Sequence, residues 1–245
     1  MAAEPSDFVE LGEVIGGYRL ERLLGAGSTS QVFLGKHVVL GRRAAIKVLV
    51  HKLIGNEDVI NRLLTEAQVV NDIRHPNIID ISDFINTPTP RRVALVMEYI
   101  EGPSLTVCRE HPLTFEQAIG VMLQLIAAVR AAHAAGIIHR DIKPDNLLLT
   151  LDPRTNQKEV PTLKIVDFGI AKMAHSNLAH TAVGTMLGTP AYMAPEQIAG
   201  RPRPSAATDV FAIGEVLYEV LTGKRAYPAG TIAIVAGRSG WNFTP

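Results

Sequence analysis

GIIHRDIKPDNLLL, residues 136–149, sets His139, Arg140, Asp141, Lys143, Asp145 and Asn146 between the apolar runs Ile137–Ile138 and Leu147–Leu149. A solvated connection needs polar side chains, but not carboxylates, an amide and a lysine crowded between two segments bound for a core. Hard oxygen donors packed next to a lysine mark a site.

The residues before this stretch read as an apolar helix, Leu113 to Ala135, with Thr114 as its cap and Gly136 as its stop. After it, LLLTLDPRTNQKEVPTLKIVDFG reads as a hairpin with a polar, proline-flanked excursion around Asp152 to Pro161 at its tip. SAATDVFAIGEVLYEVLTG is a second long helix, ending at Gly223. The first part of the chain has a different character. Residues 1–17 lack periodicity and read as a flexible leader. From Tyr18, YRLERLL, the glycine loop GAGSTS, QVFLGKHVVL, a GRR turn and AAIKVLV read as antiparallel strands. Val59, Ile60, Leu63, Leu64, Ala67, Val70 and Ile73 recur at three and four, predicting an amphipathic helix over Glu57 to Ile73 that the proline of RHPNII ends. Two more strands follow, around IIDISDFI and VALVMEYI. The fold class is α+β, with a strand-rich small lobe at about residues 18–100 and a helix-rich large lobe from 101 onward.

Composition narrows the function. The 245 residues carry 24 lysines and arginines against 24 aspartates and glutamates, so no global field draws the chain to nucleic acid or a membrane surface. Cys108 is the only cysteine, which rules out an internal disulfide and leaves a zinc site few ligands. The acidic N-terminus does not read as a signal peptide. The apolar stretch Val121 to Ile138 is interrupted by Gln124, Arg130 and His133 and suits a buried helix better than a membrane span. The expected compartment is the cytoplasm, with no membrane segment in this chain and no nucleic-acid partner.

The glycine loop alone is weak: Gly25 and Gly27 are present, but Ser30 stands at the third position, and a plain hairpin turn explains it equally well. A dinucleotide-binding loop runs into a helix, whereas this one runs into another strand. A P-loop is excluded, because the Gly-Lys pairs at Lys36 and Lys224 are followed by His37 and Arg225.

The glycine loop, AAIK, HRDIKPDN, DFG and APE occur in that order from Tyr18 to Arg225. On these motifs the chain resembles eukaryotic-type serine/threonine protein kinases, particularly those of bacteria. The resemblance implies a two-lobed kinase-like fold, ATP with Mg²⁺ (or Mn²⁺) as cofactors, and proteins with Ser or Thr acceptors as substrates. It implies Asp141 as catalytic base and Lys143 as stabiliser of the transferring phosphoryl group. Asn146 and Asp167 become the metal ligands. Gly25, Ala26 and Gly27 would approach the phosphates, with Lys47 contacting them and pairing with Glu66. Val32, Ala45 and Leu148 would sandwich the adenine, with Leu24 and Val166 nearby, Met97 at the back of the pocket and main-chain groups of Glu98 and Ile100 bonding to it. His139 and Phe168 become packing residues with Val70, anchored by Asp209, and Thr189 would position Asp141 and Lys143. Arg140 goes with control by activation-loop phosphorylation, for which Thr181 and Thr185 are the candidate sites and Ser176 a weaker one, modified through contact between two kinase copies.

The final GRSGWNFTP does not resemble the helices that finish such a large lobe, so the last helices are expected to be missing. Glu196 of APE would then lack its arginine, and an unpaired buried carboxylate costs about 3 to 5 kcal/mol. Two functions follow: an active serine/threonine kinase, or a catalytically impaired nucleotide-binding or interaction module.

Overall fold

The computed structural model describes residues 9–27, 29–88, 90–150, 160–168, 190–199 and 203–227. They divide into two units, one running to Arg74 and adding Ile79–Ile100, the other comprising His75–Ile78 and the chain from Glu101.

The first unit is built on strands β1 (Val14–Ile15), β2 (Tyr18–Ala26), β3 (Ser30–His37), β4 (Arg43–Leu49), β5 (Ile81–Pro88) and β6 (Arg91–Met97) in one antiparallel sheet of order β1-β2-β3-β4-β6-β5. β4 and β6 are buried almost end to end, which explains why AAIKVL and RVALVM are continuous runs rather than alternating ones. Ile15, Tyr18, Leu20, Phe33, Ile46, Val48, Ile85 and Val96 form the core.

Residues 9–17, read with the leader, carry structure of their own. Val14–Ile15 pairs with Tyr18 and Arg19, and Ile15 is 2% exposed. Gly16 has φ +56 and no room for a Cβ against Ile85, so a tight turn brings this strand onto the core. Just before it, Glu13 accepts from Arg92 Nε at 2.9 Å, where the arginine side chain is buried.

A short helix α1 (His51–Ile54) precedes α2 (Glu57–Ile73). Asn56 caps α2 by accepting from Val59 N, Glu57 and Asp58 sit in its first turn, and Arg74 ends it in the left-handed region at φ 45. Val59, Ile60, Leu63, Ala67 and Val70 are its buried stripe.

The second unit centres on α3 (Phe115–Ala134), whose Thr114 and Gln117 form a reciprocal capping box. α3 is long and apolar enough to cross a membrane by length and composition. Val121, Leu125 and Ala128 on it are fully buried, and it packs on β8 and α5, as the core helix of a folded unit does. The hairpin β7 (Leu147–Thr150) and β8 (Thr162–Ile165), the short helix α4 (Pro195–Ala199) and α5 (Ala206–Thr222) complete this unit among the described residues. α5 starts at a Ser205–Thr208 capping box and stops at Gly223 with φ 68.

Candidate active site

The turn after α3 is made by Gly136 at φ +77, and Ile137 and Ile142 plug the following loop into the core. Between them the main chain hangs on one buried carboxylate of α5. Asp209 Oδ2 accepts from His139 N and Oδ1 from Arg140 N, both at 2.8 Å, and His133 Nε2 lies 2.7 Å from Oδ2. Arg140 adopts φ 66, a left-handed conformation that costs a non-glycine residue about 1–2 kcal/mol. Its carbonyl accepts from Gln197 Nε2 of α4 at 2.9 Å, so both main-chain groups of the strained residue are held.

That loop delivers Asp141 to a polar cluster. Asn146 Nδ2 donates to the Asp141 main-chain oxygen at 2.9 Å and to its Oδ2 at 3.1 Å, and Lys143 Nζ stands 3.2 Å from the same Oδ2. The Asp141 side chain is 11% exposed and that of Lys143 17%. Because the Asn146 amide spends its nitrogen on Asp141, its Oδ1 is the atom left to meet a hard cation.

The 3₁₀ turn Pro144–Asn146 feeds directly into β7, and Val166 N donates to Asn146 O at 3.0 Å. This bond lays the residues around Asp167, half-buried just after β8, beside Asn146. Phe168 follows, 3% exposed, with its ring 4.5 Å from that of His139. Half-buried Leu148 bridges to Ser104, and Leu149 N donates to Pro103 O at 2.9 Å. A Cβ at Gly102 would overlap the Leu149 carbonyl, so this approach requires glycine there.

In the first unit, Gly25 stands opposite Val32, and Gly27 N donates to Ser30 O at 2.8 Å. A Cβ at Gly25 would meet nothing within 4 Å, and at Gly27 only Ser30 O at 3.5 Å. The unit's own packing therefore does not demand glycine at either position. Leu24 is exposed, Ala26 pairs with Gln31, and Lys47, 9% exposed, lies across from Val32 and Leu95. Ala45 pairs with Met97, both buried. Glu98 N donates to Asp80 O at 3.0 Å, so its carbonyl is what Glu98 can offer a ligand; half-buried Ile100 closes the unit. Glu66 lies on α2, but its side chain is outside the described residues, as are Ser176, Thr181, Thr185 and Thr189.

Sequence reasoning missed a second polar cluster. Glu219 of α5, 2% exposed, accepts from Arg109 Nε and from Tyr192 Oη, and Arg109 Nη2 donates to that same Oη at 3.0 Å. Burial, then the hydrogen bond to Glu219, pushes the Tyr192 phenol up to about 12. Burial, then the Glu219 charge, also raises the Cys108 thiol. The available signal was a pair of glutamates, Glu215 and Glu219, one turn apart in the largely apolar part of the helix after Asp209. Glu196, expected to stand without a partner, accepts from Thr208 Oγ1 at 2.6 Å, because Thr208 in the first turn of α5 reaches back to α4.

The sequence model of the protein kinase domain matches residues 18–237. A serine/threonine-protein kinase, Pkn1 of Myxococcus xanthus, is 42% identical over 214 residues, covering 87% of this chain and 30% of that protein. PknA of Mycobacterium tuberculosis is 37% identical over 226 residues, 90% of this chain and 50% of that protein. The chain thus spans half or less of the length of these curated relatives. The crystal structure of the Mycobacterium tuberculosis PknI kinase domain superposes with a TM-score of 0.66 at 22% identity, covering 90% of this chain and 80% of that one, a likeness of fold.

Proposed function

This chain belongs to the protein kinase domain family, and on that premise we propose that it transfers the γ-phosphate of ATP to serine and threonine hydroxyls of proteins. The observation that carries the proposal is the joining of Asp141, Lys143 and Asn146 through one carboxylate. In the step, the acceptor oxygen bonds to the γ-phosphorus as the bond to the β-bridging oxygen breaks. The hydroxyl proton passes to Asp141, and ADP leaves with the bond's electrons. Lys143 places its charge beside the transferring group, and water is kept from the base by its burial.

Asn146 Oδ1 and the Asp167 carboxylate are hard oxygen donors on adjoining segments, which suits them to hold Mg²⁺, with Mn²⁺ as substitute. Bound there, the ion would supply positive charge to offset that of the phosphates. Lys47 would take the α- and β-phosphates, with Glu66 as its proposed partner. The absence of any packing demand for glycine at Gly25 and Gly27 supports their role as the backbone that approaches phosphate. Leu24, Val32, Ala45, Met97 and Leu148 are the proposed adenine contacts, with the Glu98 carbonyl and the Ile100 N–H as its proposed hydrogen-bond partners. Thr181 and Thr185 are the proposed autophosphorylation sites, modified by a second copy in the cytoplasm. The premise of the non-catalytic alternative, a Glu196 without a partner, is weakened by its bond from Thr208.

Acceptor identity tests the proposal. Phosphoamino-acid analysis of autophosphorylated chain and of a generic protein substrate should yield phosphoserine and phosphothreonine. Phosphotyrosine as the main product would overturn the assignment.

A further inference from the structure

β8 pairs with β7 along one edge, and on its other edge the only backbone pairing among the described residues is an isolated parallel bridge between Ile165 and Ile78. Two carboxamides stand where a third strand would. Gln124 Oε1, from α3, accepts from Leu163 N at 2.9 Å, and its Nε2 donates to Pro161 O at 2.9 Å. Asn77 Nδ2 donates to Leu163 O at 2.7 Å and to Gln124 Oε1 at 2.8 Å, and its main-chain oxygen accepts from Ile165 N at 2.8 Å. The donors and acceptors of both amides match the strand's own alternation of N–H and C=O groups.

The arrangement is enclosed. Asn77 is 8% exposed, Leu163 and Ile165 fully buried. A Cβ at Gly120, one turn before Gln124, would overlap the Val160 side chain, so α3 comes close to the start of β8 only because glycine is there. Gln124 also bonds back to Gly120 O at 3.4 Å, which fixes its rotamer.

We propose that Gln124, acting with Asn77, is a positioning residue for the metal-binding Asp167. β8 ends at Ile165, and only Val166 separates it from Asp167. Ile165 N is held by Asn77 and Val166 N by Asn146, so consecutive amides before Asp167 are each fixed to a different part of the unit. Gln124 locks Asn77 and the register of Leu163; loosening it frees the strand to slide or twist, and Asp167 moves relative to Asn146. This inference rests on the reading of Asp167 as a metal ligand.

The test uses the 245-residue chain with Gln124→Met, which removes both hydrogen-bonding functions at similar length, and Gln124→Glu, which keeps the acceptor but loses the donor to Pro161. Phosphoryl transfer and binding of a fluorescent ATP analogue are both followed against Mg²⁺ concentration, alongside KM for ATP at saturating metal and the melting temperature. The Mg²⁺ midpoint should rise about 10- to 100-fold in Gln124→Met and by less in Gln124→Glu. KM for ATP at saturating Mg²⁺ should stay at the wild-type value. Variants that melt lower yet keep the wild-type Mg²⁺ midpoint would reduce Gln124 to a purely structural residue and overturn the proposal. Should Gln124→Met fail to fold, the midpoint of Gln124→Glu decides by the same criterion. Asp167→Asn separates the two levels: if it leaves the Mg²⁺ dependence of nucleotide binding intact, the reading of Asp167 fails and takes the proposal with it.

Discussion

Asn146 donates from one amide nitrogen to both the main-chain oxygen and the Oδ2 of Asp141, at 2.9 and 3.1 Å. A residue assigned to the metal therefore also sets the direction in which the proposed base points. Asn146→Ala removes both bonds and a metal oxygen together. Transfer should fall by more than about 100-fold, and raising Mg²⁺ should restore only part of it, since the orientation of Asp141 is not recovered by metal. Full restoration at high Mg²⁺ would show that Asn146 serves the ion alone.

Asp209 supports the same loop from beneath. It is fully buried and accepts main-chain donors of His139 and Arg140. Asp209→Ala leaves both N–H groups without an acceptor and releases the left-handed Arg140. The expected loss is about 3 to 5 kcal/mol in a denaturant titration. A loss below about 1 kcal/mol would mean that water replaces the carboxylate and the loop is not held as described.

Tyr192 gives an alkaline signature. Its folded value is raised from 10.0 to about 12, by burial first and the bond to Glu219 second. The proton is held more tightly by the folded chain, so this contribution to stability is complete below pH 10 and is lost as pH rises through about 12. Unfolding free energy should decline more steeply across that interval in the wild type than in Tyr192→Phe. Parallel profiles would place the phenol outside the Glu219 cluster.

His75 acts at the other end of the scale. Burial, then the charge of Arg130, lowers it from 6.5, and its Nδ1 accepts from Asn77 N at 3.2 Å. The folded chain favours the neutral ring, so the contribution is present above pH 6.5 and is lost as pH falls through the depressed folded value. His75→Gln should flatten the fall in melting temperature below pH 6.5. An unchanged slope would assign that fall to other groups.

The legible parts of the molecule were those whose reasons lie within a few residues. The α2 boundaries follow from the apolar stripe and the break before Pro76; the stop of α5 follows from Gly223; the Asp141 cluster is written within HRDIKPDN itself. Partners far apart along the chain were not legible. Arg109 and Glu219 are 110 residues apart, Asn77 and Leu163 86, and Glu13 and Arg92 79. Each residue alone reads as an ordinary polar side chain, and only the packed helices and strands bring the charges together. Gln124 was visible as an interruption of an apolar run, but its work became apparent only with β8 alongside.

Kinase activity of this chain is decided by γ-phosphate transfer from labelled ATP by the purified chain with Mg²⁺, run beside Asp141→Asn. Label should enter the chain and a serine/threonine substrate, reduced about 100- to 10,000-fold in the variant while ATP binding persists. Transfer that survives in Asp141→Asn, or a folded wild-type chain that binds ATP and transfers nothing, would contradict the proposal.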